Sequence, residues 1–236
     1  MKIAIIIPTY NERENIKELI HSIFSVFKAN KIKGSVIVVD DNSPDGTWKV
    51  VNDLSKNFSI ILIKRKRKMG LGSAYITGFK EALKHKYDIV FEMDGDLSHN
   101  PVCIPKFLEK LKTKDVVIGC RYEMGGRIVG WGKVRKIISL GGNLVGRLLA
   151  GIEIPDVTSG YRAYKRKCLE IIDLSKIKSN GYAFQLEMLV KSKKHGFSLD
   201  TVPIIFNDRQ KGKSKLSKRD IVEFIKIALY TRMRKL

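Results

Sequence analysis

Two aspartates flank a glycine directly after an apolar stretch near the middle of the chain. Asp94 and Asp96 follow residues 88–93, and residues two apart on an extended chain face the same side, about 6.6 Å from each other. Gly95 has no side chain, so a diphosphate could come close. Carboxylate oxygens suit Mg²⁺ or Mn²⁺, and Mg²⁺ typically combines one or two carboxylates with substrate phosphates. The spacing therefore favours a divalent-metal and diphosphate site over a solvated turn, which also uses Asp and Gly.

Polar segments follow three other apolar runs at the same relative position. They span 8–12, 40–46 and 119–122. Carboxylates along one sheet edge repel one another, and a bound cation or a hydrogen-bonding ligand would offset that repulsion. Asp41 can accept hydrogen bonds from a base or a ribose hydroxyl, and its surroundings also fit a turn.

Apolar runs and helical patterns alternate through the first half of the chain. The runs are rich in Ile and Val and span 3–7, 35–39, 60–63, 88–93 and 116–119. Helical spacing covers about 14–28, 47–55, 73–84 and 102–111. This alternation predicts a parallel sheet with helices on both faces, whose ligands bind beyond the carboxyl ends of the strands. We expect a capping box of Asn11 with Glu14, and an Asn100 N-cap before Pro101.

The second half is less regular. It predicts a helix over 134–149, a loop over 156–162, a polar helix over 183–194 and a strand over 201–206, followed by a basic segment at 208–219. One basic run, 64–68, stands out in the first half.

The charge balance favours partners that carry negative charge. The 236 residues include 45 Lys and Arg against 24 Asp and Glu, a formal net charge of +21. Such a field attracts nucleic acid, anionic lipid heads and phosphorylated small molecules, and charge alone does not choose among them.

Several other classes of protein are disfavoured. No glycine-rich dinucleotide fingerprint follows the first apolar run, and no Walker A sequence is present. The three cysteines are far apart, which gives little support to a zinc or dithiol centre and suits a reducing compartment. No signal peptide is predicted, and no run approaches the roughly 20 apolar residues of a spanning helix. A role at a membrane would therefore place the chain on its surface.

Four of these segments resemble glycosyltransferase family 2: PTYNE at 8–12, DDNSPDGT at 40–47, MDGDLSHNP at 93–101 and GCRY at 119–122. Later segments resemble the polyprenyl-phosphate branch, the dolichol-phosphate mannosyltransferases: WGKVRKIIS at 131–139, TSGYR at 158–162, GYAFQLEM at 181–188 and NDRQKGKSKL at 207–216. The resemblance covers nearly the whole chain in the same order. It implies an α/β, Rossmann-like nucleotide-diphospho-sugar transferase (GT-A) fold with a mostly parallel sheet. It also implies inverting transfer of mannose from GDP-mannose to dolichyl or another polyprenyl phosphate, with Mg²⁺ or Mn²⁺, for glycan assembly.

The resemblance assigns roles by position. The guanosine would be held by Pro8, Tyr10, Glu12, Val39 and Asp41. Asp94, Gly95 and Asp96 would hold the metal and the diphosphate, while Arg121, Arg209 and Lys215 would contact donor phosphates. The acceptor phosphate would contact Arg121, Arg135 and Ser139. The residues expected to take part in catalysis are Asp94, Asp96, Arg121, Arg209 and Lys215. Some relatives carry Gln at Ser98, which leaves the third protein ligand of the metal open.

The acceptor chemistry indicates which groups to expect. A phosphate monoester carries nearly two negative charges at neutral pH, since its second pKa is about 6. It needs cationic positioning, for which Arg121, Arg135, Arg162 and Lys215 are available, more than it needs a general base. Glu187 is the best candidate for a base, with a surface carboxylate as the equal alternative, and His99 is expected to cap or to face solvent.

The C-terminal segment has the pattern of a helix on a membrane surface. Apolar residues recur near helical period over 221–229, with Lys and Arg on both sides. About 15 residues cannot span a bilayer but can lie along it, and the helix over 134–149 has a similar character. The alternative for both is packing on the domain.

We therefore predict a catalytic domain over 1–206, with a nucleotide-sugar half (1–122) and an acceptor half (123–206). A basic loop and membrane-surface helix would follow over 207–236, and the protein would be cytoplasmic and peripheral to an anionic membrane. A separate membrane subunit remains an open expectation.

Two other functions stay open. One is a UDP-glucose-dependent polyprenyl-phosphate glucosyltransferase. The other is a nucleic-acid-binding protein. The basic residues are not interleaved with aromatic residues that could stack on bases, which argues against this function. We expect no nucleic-acid partner.

Overall fold

A computed structural model of the chain describes residues 1–177, 179–208 and 224–229. Within these residues the strands are β1 (Ile3–Thr9), β2 (Gly34–Asp40), β3 (Ile60–Lys64), β4 (Ile89–Glu92), β5 (Val116–Cys120), β6 (Arg127–Val129), β7 (Arg162–Lys165), β8 (Leu199–Pro203) and β9 (Ile205–Asn207). The helices there are α1 (Arg13–Ala29), α2 (Thr47–Leu54), α3 (Leu71–Lys84), α4 (Ile104–Lys110), α5 (Lys133–Ala150), α6 (Arg166–Ile171) and α7 (Gly181–Lys194). Short 3₁₀ turns cover Pro101–Cys103 and Leu174–Lys176, and residues 224–229 are also helical.

Among the described strands, seven form one sheet in the order β3-β2-β1-β4-β7-β5-β8. Neighbours run parallel except at β7, which is antiparallel to both β4 and β5. The predicted α/β fold, with a mostly parallel sheet and helices on both faces, is confirmed. The carboxyl ends of β1, β2 and β4 consequently lie side by side at one edge.

Two apolar cores cover the two faces of the sheet. Alternate residues of β1 face opposite ways: Ile5 packs in the core that contains α1, and Ile6 packs in the core that contains α3. Burial on both faces explains why this strand is a continuous apolar run rather than an alternating one.

The first helix begins differently from the prediction. α1 begins after Glu12, and no side chain caps it. Asn11 has a φ of 63°, in the left-handed region that Asn tolerates, and its N–H donates to Ser43 Oγ at 3.1 Å. The capping box of Asn11 with Glu14 is therefore wrong, because the chain turns sharply here between β1 and α1. The Asn100 cap is confirmed, since its Oδ1 accepts from the Val102 N–H at 3.0 Å.

The predicted strand over 201–206 is divided between two sheets. β8 pairs with β5, whereas β9 pairs with β6 in a small two-stranded sheet. Pro203 has no N–H for a ladder, and the following Ile204 N–H donates to the Cys120 carbonyl at 2.9 Å. The small sheet brings Phe206 next to His99, with which it forms an isolated bridge.

The predicted helix over 183–194 is confirmed as α7, but its predicted polar character is wrong, because most of this helix is buried. All residues from Ala183 to Val190 are buried. Its three buried polar side chains are bonded internally. Gln185 Nε2 donates to Glu92 Oε2 at 2.7 Å, Ser179 Oγ donates to Glu187 Oε2 at 2.5 Å, and Ser192 Oγ donates to the Met188 carbonyl at 2.8 Å. Hydrogen bonds to protein partners let these polar residues stay inside.

α5 shows the opposite arrangement. Large apolar side chains along it are exposed, while the residues it buries are Asn143 and Gly146. Within the part of the chain that the structure describes, no helix combines the length and the apolar character that crossing a bilayer requires.

Candidate active site

One cavity lies beyond the carboxyl ends of β1, β2 and β4. Its volume is about 490 Å³, which is typical of small-molecule sites. Its lining includes eight residues predicted to bind the nucleotide sugar: Pro8, Tyr10, Glu12, Val39, Asp41, Asp94, Gly95 and Asp96. Parallel strand ends bring these residues, which are distant in sequence, to one edge of the sheet.

The Asp94 and Asp96 carboxylates each accept a hydrogen bond from a neighbouring group. The Tyr75 hydroxyl donates to Asp94 Oδ1 at 3.2 Å, and the Ser98 N–H donates to Asp96 Oδ1 at 3.1 Å. Burial, and then the nearby Asp94 carboxylate, raises the pKa of Tyr75 well above its ordinary value, so that its hydroxyl stays protonated and donates.

The side chain of His99 contacts both the backbone and the carboxylate of Asp94. It is buried, which corrects the expectation of a solvent-facing or capping role, and its Nδ1 accepts from the Asp94 N–H at 3.1 Å. Burial lowers the pKa of His99 and outweighs the opposite effect of the two aspartates, so the ring is neutral. Because Nδ1 accepts, Nε2 carries the hydrogen, and it lies 3.8 Å from Asp94 Oδ2.

Asp94 and Asp96 are the groups that would hold a divalent ion. In the described residues, no cluster of three or more His, Cys, Asp or Glu side chains is arranged to hold a metal. Mg²⁺ commonly takes only one or two protein carboxylates and completes its shell with water and substrate phosphates. Ser98 Oγ, two residues beyond Asp96, is buried and has no hydrogen-bond partner within the described residues. Carboxylate and hydroxyl oxygens are hard donors, so the chemistry of these side chains fits a divalent ion such as Mg²⁺.

Asp41 lines the cavity, and its carboxylate forms an ion pair with an arginine. The buried Arg65 guanidinium forms an ion pair with Asp41 Oδ1, and the Met69 N–H donates to Oδ2 at 3.0 Å. Arg65 also donates to Ser73 Oγ at 2.6 Å and to the Gly70 carbonyl at 3.1 Å. These bonds fix the carboxylate of Asp41 relative to the cavity.

Arg121 is not among the residues that line the cavity. Its guanidinium forms a bidentate pair with buried Asp156, with two bonds of 2.6 Å, and donates to Thr158 Oγ1 at 2.8 Å. The pKa of Arg121 is raised because the Asp156 carboxylate more than offsets the effect of burial. Its predicted contact with phosphate stays a prediction.

Arg162 does not serve as the predicted phosphate-positioning cation. It is fully buried, and its guanidinium donates to the carbonyls of Val157, Ser159 and Gln185 at 2.8, 2.8 and 2.5 Å. Its donors hold the 156–162 loop on α7. The loop needs these bonds because buried carbonyl groups without partners are costly.

A second, apolar groove of about 720 Å³ lies next to the first cavity. It is lined mostly by α5 and includes Arg135 and Ser139, the residues predicted to receive the acceptor phosphate. Arg135 Nη1 donates to Asp208 at 2.9 Å, and its guanidinium lies 4.0 Å from the centroid of the Trp131 ring. Ser139 Oγ accepts from the Tyr122 hydroxyl at 2.7 Å. Thr158 and Tyr182 line both the cavity and the groove.

Two predicted site residues, Arg209 and Lys215, lie outside the described residues, as does most of the predicted segment 207–236. In its described part, Phe224 and Ala228 are buried while Ile225 and Leu229 are exposed.

Several residues that line the cavity had no predicted role: Lys68, Gly70, Leu71, Asn180, Tyr182 and Gln185. Lys68 belongs to the basic run 64–68, and its Nζ lies 4.1 Å from the centroid of the Tyr10 ring. That run was the signal that could have found Lys68. Tyr182 and Gln185 fall in the motif at 181–188, which was their signal. Gly70, Leu71 and Asn180 have no local signal, because only the packing of α3 and α7 brings them to the cavity.

A Rossmann-like sheet with paired aspartates at its carboxyl edge, beside a small-molecule cavity, is the arrangement of a nucleotide-sugar transferase. The family model described as Glycosyl transferase family 2 matches residues 4–172. The chain belongs to glycosyltransferase family 2.

Two curated relatives are similar over most of the chain. An undecaprenyl-phosphate mannosyltransferase of Micrococcus luteus is 41% identical over 92% of this chain and 88% of its own length. A polyprenol monophosphomannose synthase of Mycolicibacterium smegmatis is 39% identical over 93% of this chain and 82% of its own length.

The fold is shared with a more distant enzyme of solved structure. Glucosyl-3-phosphoglycerate synthase of Mycobacterium tuberculosis, in complex with Mn²⁺, UDP-glucose and phosphoglyceric acid, is 19% identical with a TM-score of 0.70. The match covers 96% of this chain and 79% of that one. A phosphoglyceric acid complex of the same enzyme also has a TM-score of 0.70, at 20% identity over 96% and 80% of the two chains.

Proposed function

We propose that the chain transfers mannose from GDP-mannose to a polyprenyl phosphate, such as dolichyl phosphate, with inversion at the anomeric carbon. The two curated relatives, named as a mannosyltransferase for undecaprenyl phosphate and a polyprenol monophosphomannose synthase, support mannose and a polyprenyl acceptor. GDP as the donor nucleotide follows from the resemblance of the motifs around Asp41 and Asp94.

The observation that carries the proposal is the adjacency of two unlike cavities. The first has carboxylates suited to a metal-bound diphosphate, and the second is an apolar groove suited to an isoprenoid chain. Because Thr158 and Tyr182 line both, a phosphate at the end of a lipid in the groove would reach a sugar in the first cavity. Arg135 and Ser139 would hold that phosphate.

The chemistry needs positioning and charge stabilisation. An acceptor phosphate oxygen forms a bond to the anomeric carbon while the bond to the donor diphosphate breaks, and the nucleoside diphosphate leaves with the bonding electrons. A divalent ion bound by Asp94 and Asp96 would act as a Lewis acid toward that diphosphate. Arg209 and Lys215 are proposed to add positive charge near the donor phosphates.

No general base is assigned. Glu187, the candidate from the sequence, is buried against Ser179, lies 3.8 Å from the Lys191 ammonium, and is not among the residues that line the cavity. The acceptor phosphate does not need one, because it is already ionised at neutral pH.

The same proposal includes association with a membrane surface. The exposed apolar residues of α5 would enter the interface, while lysines and arginines along and beside the helix would approach anionic headgroups. Each such cation contributes about 1 kcal/mol near an anionic surface, and a net charge of +21 favours that approach.

The function is tested by measuring the transfer of labelled sugar to polyprenyl phosphate in detergent with Mn²⁺. GDP-mannose and UDP-glucose are compared as donors. We expect mannosyl lipid from GDP-mannose, and its formation should stop when EDTA removes the metal. Formation of glucosyl lipid from UDP-glucose, without mannosyl lipid from GDP-mannose, would instead support the polyprenyl-phosphate glucosyltransferase alternative. Absence of a lipid product from every donor would reject the function. Salt-sensitive nucleic-acid binding that survives excess GDP-mannose would then favour the nucleic-acid alternative.

A further inference from the structure

α5 is attached to the rest of the protein through very few buried groups. Of its residues from Lys133 to Ala150, only Asn143 and Gly146 are buried. Leu149 and Ala150 at its end are partly buried against the core, but most of its apolar side chains are exposed. A helix that exposes most of its apolar side and buries an amide has the reverse of the usual pattern, so core packing contributes less than usual to its position.

The amide of Asn143 has a hydrogen-bond partner for each polar atom. Its Nδ2 donates to the Ser139 carbonyl at 3.0 Å and to Thr158 Oγ1 at 3.1 Å. Its Oδ1 accepts from the Val157 N–H at 2.8 Å. Burying an amide is costly unless it is bonded in this way. Asn143 therefore holds α5 against the 156–162 loop in one register.

The bond to Thr158 connects the two halves of the site. Thr158 Oγ1 also accepts from Arg121 Nη2 at 2.8 Å, and Arg121 pairs with Asp156. Thr158 lines both the donor cavity and the apolar groove, while α5 carries Arg135 and Ser139. Hydrogen bonds thus run from the acceptor helix to the wall of the donor cavity.

Gly146 supports the same placement one turn further along α5. A Cβ at this position would lie 2.5 Å from Phe224 Cζ and 3.1 Å from Val157 Cγ2. Close backbone approach at Gly146 and the bonded amide at Asn143 act on neighbouring points of one face. A shift of α5 would break both.

We propose that Asn143 is a positioning residue that sets the register of the acceptor helix relative to the donor cavity. It aligns the acceptor phosphate with the anomeric carbon through α5, without contacting either substrate. This inference rests on the proposed function.

The test compares Asn143→Leu with the wild type and with Asn52→Leu, the same change at an exposed site on α2. We expect kcat for transfer to polyprenyl phosphate to fall roughly 10- to 100-fold, since a misplacement of about 1 Å can cost that much. Mn²⁺-dependent affinity for GDP and donor hydrolysis without acceptor should not change, because the donor cavity keeps its residues. A merely structural role would instead lower both donor binding and transfer.

Thr158→Val removes the partner hydroxyl with little change in shape and keeps the test decisive if Asn143→Leu folds poorly. The losses in the single variants should be less than additive in the double variant, because both variants break the bond between Asn143 Nδ2 and Thr158 Oγ1. Each variant also loses bonds of its own, from Asn143 to the Ser139 carbonyl and the Val157 N–H, and from Thr158 to Arg121. Full transfer activity in Asn143→Leu, or additive losses, would overturn the inference.

Hydrogen exchange separates the failure of this inference from that of the proposed function. If the wild type transfers nothing to a lipid phosphate, the function is wrong. Faster exchange confined to residues 133–150 in Asn143→Leu would still support the placement of α5 by Asn143. Unchanged exchange there would reject that placement.

Discussion

At the scale of single residues, the acidic corner depends on backbone groups as well as on its carboxylates. The Asp94 N–H donates to a neutral His99, and the Asp96 carboxylate accepts from the Ser98 N–H. The Cβ that a residue other than Gly160 would carry lies 3.4 Å from Asp94 Oδ1. The 156–162 loop therefore approaches the candidate metal ligand closely.

Asp94→Asn and Asp96→Asn should each weaken Mn²⁺-dependent binding of GDP by roughly 10- to 100-fold. The reason is the loss of a charged ligand, since an interaction with a charged group is worth about 1.5–3 kcal/mol. Calorimetric titration with GDP, with and without Mn²⁺, measures the effect. Asp53→Asn is the control because Asp53 is exposed on α2 and pairs only with Lys56 in the described contacts. Wild-type metal dependence in both cavity variants would contradict the metal assignment.

Glu92 gives a second residue-scale prediction. Burial raises the pKa of Glu92 from 4.5 to about 7, although the Arg162 guanidinium opposes that rise. Between these pH values the folded chain holds a proton that the unfolded chain has lost. The free energy of unfolding should therefore fall as pH rises through this interval, by about 3 kcal/mol at about 1.4 kcal/mol per pH unit.

Urea unfolding of the wild type and Glu92→Gln at pH 5 and pH 7.5 tests this dependence. His99 acts in the opposite direction, since its lowered pKa adds stability as pH rises. The difference between the two proteins isolates Glu92, because His99 is present in both. The neutral glutamine should remove the Glu92 contribution, and an identical pH dependence in both proteins would show that the Glu92 carboxyl does not titrate as described.

At the scale of elements, the close approach of helices to their neighbours depends on particular glycines. Gly78 lies in α3, and a Cβ there would overlap with the Ile6 side chain on β1. Gly141 lies in α5, and nothing lies within 4 Å of its Cβ position. The same substitution should therefore have opposite effects at the two sites.

Gly78→Ala should lower the free energy of unfolding by about 1–3 kcal/mol, because α3 must move away from the sheet. Gly141→Ala should raise it by up to about 1 kcal/mol through higher helix propensity. Chemical unfolding measures both, and each variant is the control for the other. Equal changes would show that the packing of α3 on β1 does not set the effect.

At the scale of the whole molecule, the proposed association with anionic lipid depends on the apolar side of α5 and on the net positive charge of the chain. Ile137 and Leu148 are 68% and 64% exposed on this helix. Side chains this exposed gain free energy when they enter the acyl region of a bilayer, and a fully buried Leu or Ile gains about 1.5–3 kcal/mol.

The double variant Ile137→Ser and Leu148→Ser should bind anionic vesicles at least roughly tenfold more weakly than the wild type. Co-sedimentation with phosphatidylserine vesicles measures this, and binding of the wild type should also weaken as salt rises. Ile171→Ser on α6 removes an apolar side chain that is 53% exposed elsewhere on the protein, and this variant should bind as the wild type does. Equal binding by all three proteins would mean that α5 does not face the lipid.

The sequence by itself determined the order of strands and helices in the first half, the mostly parallel sheet, and the edge at which Asp41, Asp94 and Asp96 meet. These features follow from local signals. Apolar runs without alternation mark strands buried on both faces, and acids placed directly after such runs must fall at one edge when the strands are parallel. The motifs around them were also sufficient to indicate the family.

Only the tertiary structure decided how the charged groups are paired and which helix faces are covered. Arg121 forms an ion pair with Asp156, and Arg162 donates hydrogen bonds to backbone carbonyls. The periodicity of helices and strands in the sequence does not predict these pairings. Helical spacing defines an apolar stripe but not what lies against it, so α7 proved buried and α5 exposed. Burial and pairing depend on the three-dimensional proximity of distant segments, and that proximity exists only once the sheet has assembled.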